Sequence, residues 1–268
     1  MSAAQAQEQW EPAQWIGQAL QTVLGPVEEA REDTNFGFME GPSIAVALLH
    51  PGESAAMEID LSAGGTYAFV AAGDEDAAQV SLTVYSEDGS VVDATTDALA
   101  ALVVTPQGDG AFTVEVGLPG GEVGSYCALV MLEDGGAYVA PNYFGYAFGQ
   151  LAAACTGIEE SGLTVSSQVG SGFTLYGAVL AEGEDVLAQP VPLEAGQHVL
   201  IGAGDEDVSA MTCAILDEAG DMAATSEDGT PVPICDVVAE SEGFYQAGII
   251  CDAADGPCAV MWGLFLLE

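Results

Sequence analysis

Positive charge is nearly absent from this chain. Its 268 residues hold one Lys or Arg in total, Arg31, against 42 Asp and Glu, and the formal net charge is −41. A phosphate backbone is held by several basic side chains that displace its counterions, so no nucleic acid partner is expected. Anionic lipid surfaces repel the chain for the same reason. Long apolar runs are missing as well: no stretch reaches the roughly 18 residues that a membrane-crossing helix needs, so no membrane insertion is expected. Histidine occurs twice, at His50 and His198, and none of the six cysteines forms a Cys-x-x-Cys pair, which removes the usual zinc patterns. Neither histidine sits in a pattern that makes a Ser-His-Asp arrangement credible, and there is no Gly-x-Ser-x-Gly elbow.

What the chain does hold is apolar and repeated. Half of its residues are hydrophobic, enough to build cores despite the charge, so disorder is excluded for the bulk of it. The segment from Tyr67 to Asp76, an apolar run ending in Gly73-Asp74-Glu75-Asp76, returns from His198 to Asp207 with Gly204-Asp205-Glu206-Asp207. Gly73 and Gly204 lie 131 positions apart. A period of that size is domain-sized and predicts two tandem units.

Each unit opens with a helical stripe. Residues 13–24 place Trp15, Ile16, Ala19, Leu20, Val23 and Leu24 at helical spacing, with Gly25-Pro26 as the expected stop. Residues 143–156 repeat the stripe with Phe144, Ala147, Phe148, Leu151, Ala152 and Cys155, closed by Gly157. The acidic run 27–33 around Arg31 reads as a solvated linker. Short apolar runs follow in each unit. In the first they span 43–49, 56–61, 66–71, 80–85, 99–105, 111–117 and 126–132. In the second they span 174–180, 187–193, 198–203, 211–216, 233–239, 245–251 and 258–266. Asp88-Gly89 and Asp109-Gly110 supply hairpin turn chemistry. The predicted fold class is all-β: two tandem antiparallel β-sandwich (jelly-roll-like) domains, each preceded by one amphipathic helix. The expected boundaries are a tail at 1–9, unit one at 10–136, a junction at 137–141 and unit two at 142–268, the two units touching rather than swinging freely.

Two readings of the acid stand open together. One is adaptation to a salty medium, where ions screen self-repulsion within about 3 Å at 1 M salt. The other is specific Ca2+ binding. Asp74, Glu75 and Asp76, and Asp205, Glu206 and Asp207, each follow a strand and a glycine on a loop. Asp88 and Asp217 lie one hairpin away and could complete an oxygen shell. Solvated edge charge is the bland alternative. Among the aromatics, Trp15 and Trp262 read as core, and Trp10 is less constrained.

Six cysteines permit three bridges. Cys251 and Cys258 flank a tight turn between two strands, Cys213 and Cys235 lie in consecutive strands, and Cys127 with Cys155 remain as a third pair. Buried free thiols are the competing reading, since Cys155 aligns with the apolar Val23.

In this order the elements resemble the bacterial pre-peptidase C-terminal type of secreted β-sandwich module. Unit one carries Gly73-Asp74-Glu75-Asp76, Ser86-Glu87-Asp88-Gly89, Gly110-Ala111-Phe112 and Tyr126-Cys127. Unit two carries Gly204-Asp205-Glu206-Asp207, Asp217-Glu218-Ala219-Gly220, Gly243-Phe244-Tyr245 and the hairpin from Cys251 to Cys258. The resemblance covers about residues 43–133 and 174–267, and unit one lacks the first hairpin cysteine. It implies a non-catalytic exported module. The N-terminus, Met1-Ser-Ala-Ala-Gln-Ala-Gln-Glu, reads like the small-residue tail that follows a cleaved export signal, so a secreted or periplasmic location is expected. The expected function is binding of a cell-surface or extracellular protein or glycan, possible support from Ca2+ being its only cofactor. The alternatives are a self-associating surface-layer or filament protein bridged by cations and, as the remotest, a carbohydrate-active enzyme.

Overall fold

The computed structural model describes residues 10–31, 33–168, 172–226 and 229–268, so the expected tail at 1–9 lies outside the described residues. The fold is all-β with two helices, and every strand pairing is antiparallel. The first half runs α1 (Pro12–Arg31), β1 (Phe36–Phe38), β2 (Ile44–Leu49), β3 (Ser54–Leu61), β4 (Tyr67–Gly73), β5 (Val80–Ser86), β6 (Val91–Asp97), β7 (Leu99–Val104), β8 (Gly110–Gly117) and β9 (Ser125–Asp134). The second half runs α2 (Pro141–Glu160), β10 (Val165–Ser166), β11 (Leu175–Leu180), β12 (Asp185–Leu187), β13 (Val191–Leu193), β14 (Gly196–Gly204), β15 (Val208–Leu216), β16 (Met222–Thr225), β17 (Ile234–Ala239), β18 (Gly243–Ala254) and β19 (Cys258–Leu267).

The strands divide by how much of them is apolar. β4, β11 and most of β9, β14 and β19 are buried at consecutive positions, because both of their faces are covered. β3 and β5 alternate buried and open positions, the period of a strand with one face to solvent. The first group lies within one ten-stranded sheet whose main path is β17-β14-β19-β11-β2-β9-β4-β7, and the end strands β7 and β17 alternate. The second group forms two outer sheets, β3-β8-β5-β6 and β12-β18-β15-β16, with β13 paired to β18. One apolar cluster lies between the long sheet and the outer sheets. A second cluster, holding Ile16, Leu20, Phe144 and Leu151, lies between the long sheet and the helices. The expected two layers are therefore three, because each helical stripe packs on the back of the sandwich.

Read outward from the centre, the long sheet is 2-9-4-7 on one side and 11-19-14-17 on the other. The halves meet where β2 pairs with β11 through Val46–Leu175, Ala45–Tyr176 and Ile44–Gly177. With the 131-residue offset, Ile44 corresponds to Leu175 and Val46 to Gly177. The register thus exchanges equivalent positions about the Ala45–Tyr176 pair, as an isologous dimer interface would. Further bonds sew this seam: the Thr174 N–H donates to the Val46 carbonyl at 3.0 Å, and the Ser43 N–H to the Gly177 carbonyl at 2.8 Å.

Several local expectations are corrected. Gly25-Pro26 does not stop α1, which continues to Arg31 with Pro26 inside it. Val27 is buried in the helix–sheet core, and the Arg31 guanidinium sits 4.6 Å from the centre of the Tyr138 ring, so packing outweighs the lost backbone bond. The stretch read as a solvated linker is therefore partly helix. Gly157 likewise lies inside α2, whose end is marked by Ser161 and a left-handed Gly162. The run 187–193 splits into β12 and β13. β6 and β16 have no counterpart in the predicted runs because their residues are mostly exposed and show no apolar alternation. Asp88-Gly89 turns a hairpin as expected, whereas Asp109-Gly110 joins β7 of the long sheet to β8 of the outer sheet.

The repeated glycines have a steric role. A Cβ on Gly73 would come within 2.3 Å of the Ala77 Cβ, and one on Gly204 within 2.5 Å of the Val208 Cβ. Gly204→Ala is expected to destabilise the protein by roughly 1 to 3 kcal/mol. A thermal melt that matches wild type would contradict this reading of the turn.

Candidate functional site

The acidic triplets sit where β4 turns into β5 and where β14 turns into β15. Their first members are buried and doubly used. Asp74 accepts the Asp76 N–H at 3.1 Å on Oδ1 and the Tyr126 N–H at 2.8 Å on Oδ2. Asp205 accepts the Asp207 N–H at 3.0 Å and the Ala259 N–H at 2.6 Å in the same way. Each aspartate thus ties its turn to the neighbouring strand, β9 or β19. Glu75, Asp76 and Glu206 are exposed, and Asp207 is half-buried.

The acids expected to complete an oxygen shell lie elsewhere. Asp88 follows β5 and Asp217 follows β15, so a whole strand, on the order of 20 Å, separates each from its triplet. Both are turn residues: Asp88 accepts the Ser90 N–H at 2.9 Å, and Asp217 accepts the Ala219 and Asp221 N–H groups, each at 2.9 Å. Among the described residues, no three His, Cys, Asp or Glu are grouped so as to hold a metal ion. The structure does not bring Asp74, Glu75, Asp76 and Asp88, or Asp205, Glu206, Asp207 and Asp217, into one shell.

Burial, outweighing the two amide bonds, raises both Asp74 and Asp205 above the ordinary carboxyl value of 3.8. A carboxyl whose folded value is raised stabilises the fold in its protonated form, and that contribution is lost as pH rises from 3.8 through the raised value. Asp88 acts in the opposite sense, its value being lowered by the Ser90 and Ser86 hydrogen bonds. Lowering pH from neutrality toward the ordinary carboxyl value of 3.8 protonates these two groups ahead of the exposed acids and also relieves self-repulsion, so the melting temperature is expected to rise on the way down to about 4. A fall, measured by calorimetry at fixed salt, would contradict the raised values of the two buried aspartates.

The cysteines are all buried thiols. The Cys213 and Cys235 sulfurs are 3.2 Å apart, and those of Cys251 and Cys258 are 3.6 Å apart. Cys127 and Cys155 do not meet: Cys127 faces the sandwich core and Cys155 the helix layer, on opposite faces of the long sheet. Burial pushes the Cys127 thiol up to about 12.

Sequence reasoning missed a cleft at one end of the seam, about 760 Å³ in volume. His50, on the loop after β2, and His198, on β14, both line it, with Glu53, Glu194, Glu242 and Gln168. The cleft thus gathers both histidines of the chain, and no periodicity or spacing linked positions so far apart. The His50 Nε2 lies 3.5 Å from the Gln168 side-chain nitrogen, across the seam. His198 is 1% exposed; its Nε2 donates to the Glu194 carbonyl at 2.9 Å, and its Nδ1 has no hydrogen-bond partner. A second cleft on the other side of Ser167 and Gln168 is lined by Trp10, Tyr126 and Glu159. The Tyr126 hydroxyl and Ser167 hydroxyl are 2.5 Å apart across the seam. Trp10, left unconstrained by the sequence, is 1% exposed: its indole N–H donates to the Val165 carbonyl at 2.9 Å and its ring meets Phe265 edge-on.

No protein-family model and no curated protein matches the chain. Among solved structures, it is similar to the PBSX exported protein XepA at 12% identity and a TM-score of 0.26, over 83% of this chain and 84% of that one. It is similar to PirA at 9% identity and a TM-score of 0.24, over 35% of this chain and 96% of that one. An oxalate decarboxylase of Bacillus subtilis follows at 11% identity and a TM-score of 0.16, over 88% and 75% of the two chains. At these TM-scores the likenesses carry no argument about function.

Proposed function

We propose that this protein is a secreted or periplasmic, non-catalytic binding module, built as a tandem duplication of one helix-plus-sandwich unit. The strand orders 2-9-4-7 with 3-8-5-6, and 11-19-14-17 with 12-18-15-16, support a jelly-roll plan in each unit. The resemblance to pre-peptidase C-terminal modules belongs to the same reading. The observation that carries it is the seam cleft, the kind of concave site that joins two units. Three glutamates line it and no Lys or Arg does, so its ligand is a cationic segment of a cell-surface or extracellular protein. Cations, Ca2+ among them, enter as counterions of the acidic surface.

Titration calorimetry with a hexa-arginine peptide in about 0.15 M salt tests the reading. Glu194→Gln with Glu242→Gln should weaken binding about 10-fold. Glu28→Gln with Glu29→Gln, which removes the same charge from the exposed side of α1, should leave it nearly unchanged. Equal effects of the two pairs would reduce the binding to diffuse charge and contradict the cleft.

A second reading, self-association into a surface layer or filament, is favoured by the ends of the long sheet. β7 and β17 are paired on one side alone and expose Leu99 and Val103, and Ile234 and Val238. Light scattering that grows with Ca2+ at constant ionic strength would support it over the first.

A further inference from the structure

We propose that the second half of the chain carries two disulfide bridges, Cys213–Cys235 and Cys251–Cys258, which bind its outer sheet covalently to the long sheet, while Cys127 and Cys155 remain thiols. Cys213 lies on β15 of the outer sheet and Cys235 on β17 of the long sheet. Cys251 lies on β18 of the outer sheet and Cys258 on β19 of the long sheet. The sulfurs are already at 3.2 and 3.6 Å, and a bond of about 2.05 Å is reached by small side-chain rotations. The inference is independent of the binding reading above.

The first half provides an internal comparison. Cys213 corresponds to Leu82 by the 131-residue offset. Cys235, opposite Leu200, corresponds to Leu102, opposite Phe69. Cys258, opposite Leu180, corresponds to Ser125, opposite Leu49. Cys251 follows Ile250, which pairs with Thr212, as Leu118 follows Gly117, which pairs with Ser81. The same plan therefore closes without sulfur in one copy, so packing does not demand cysteine there. In the other copy both members of each contacting pair are cysteine. Joint occurrence at two contacting pairs is what a covalent role requires and what a preference for small buried side chains does not. Cys127 and Cys155, by contrast, face different cores and have no sulfur partner.

The oxidant is a low-molecular-weight disulfide such as oxidised glutathione. One cysteine thiolate attacks it, forming a mixed disulfide and releasing one thiolate. The second cysteine thiolate then attacks the protein-side sulfur of that mixed disulfide and releases the other. Two cysteine thiols are oxidised per bridge, one glutathione disulfide is reduced to two thiols, and the two protons pass to the products.

The test is thiol mapping of the full chain after refolding from denaturant in a buffer of reduced and oxidised glutathione, so that the thiols meet the oxidant before the core closes, by alkylation in denaturant and peptide mass spectrometry. The expected result is two alkylated residues, Cys127 and Cys155, and a mass lower by four hydrogens than the reduced chain. Any other count, or a bridge that includes Cys127 or Cys155 or links the pairs to each other, overturns the proposal. As a second readout, reduction of the oxidised protein should lower its melting temperature by on the order of 5 °C or more. Cys213→Leu with Cys235→Leu, which copies the first half, should fold and lose most of that response. An unchanged response to reduction in that variant would also overturn it.

Discussion

Asp205→Ala is expected to cost roughly 3 kcal/mol, or on the order of 6 to 12 °C of melting temperature in a chain of this size. The carboxylate accepts two backbone N–H groups, from Asp207 and Ala259, and its removal leaves both in a site where Asp205 itself is 2% exposed. The raised carboxyl value is no contradiction. It measures the cost of holding a charge out of water, whereas the substitution removes the acceptor altogether. Asp205→Asn should fall between the two, since one oxygen still accepts while the amide faces the second N–H. Asp74→Ala should behave alike, because Asp74 binds Asp76 and Tyr126 in the same pattern. A calcium-bridging role would make the loss depend on Ca2+ and vanish with chelator in wild type and variant alike. The structural role predicts the same loss with either, and calorimetry in both buffers separates the two.

Raising salt from about 0.05 M to about 2 M is expected to raise the melting temperature by on the order of 10 °C or more. The 42 acidic side chains have one guanidinium to set against them, which leaves a formal charge of −41, and that one is engaged with the Tyr138 ring. Repulsion among exposed carboxylates is then a property of the whole surface rather than of any pair, so screening acts on all of them at once. Exposed pairs are ordinarily worth little, but the sum over an almost unneutralised surface is not. Circular-dichroism melts across a NaCl series check this. A curve flat in salt would show that the carboxylates lie too far apart to strain the fold.

The parts of this fold that were legible in the sequence are those fixed by local chemistry. The repeated Gly-Asp-Glu-Asp is visible because one backbone turn, closed by a buried carboxylate and a glycine with no room for a Cβ, recurs in both halves. Most strands of the long sheet are visible because residues such as those of β4 and β19 are apolar throughout. What stayed hidden is set by neighbours distant in the chain. Pro26 stands in a helix because Val27 has a core to enter, and β6 is a strand because β5 pairs with it. The helices form a third layer because the long sheet offers a second apolar face. The candidate site was the least legible part. The acids that stand out in sequence are turn residues, whereas the histidines, which recur in neither copy, meet at a cleft made when β2 joins β11.

The cleft and the single long sheet depend on that join, so amide hydrogen exchange of the full chain in high salt is the most direct test. If the halves share one sheet, amides in and beside β2 and β11 that bond across the seam, such as Thr174 just before β11, should exchange as slowly as those of β9 and β19, in a single cooperative unit. Rapid exchange confined to β2 and β11, with β9 and β19 protected, would show two bodies resting against each other and would contradict the account.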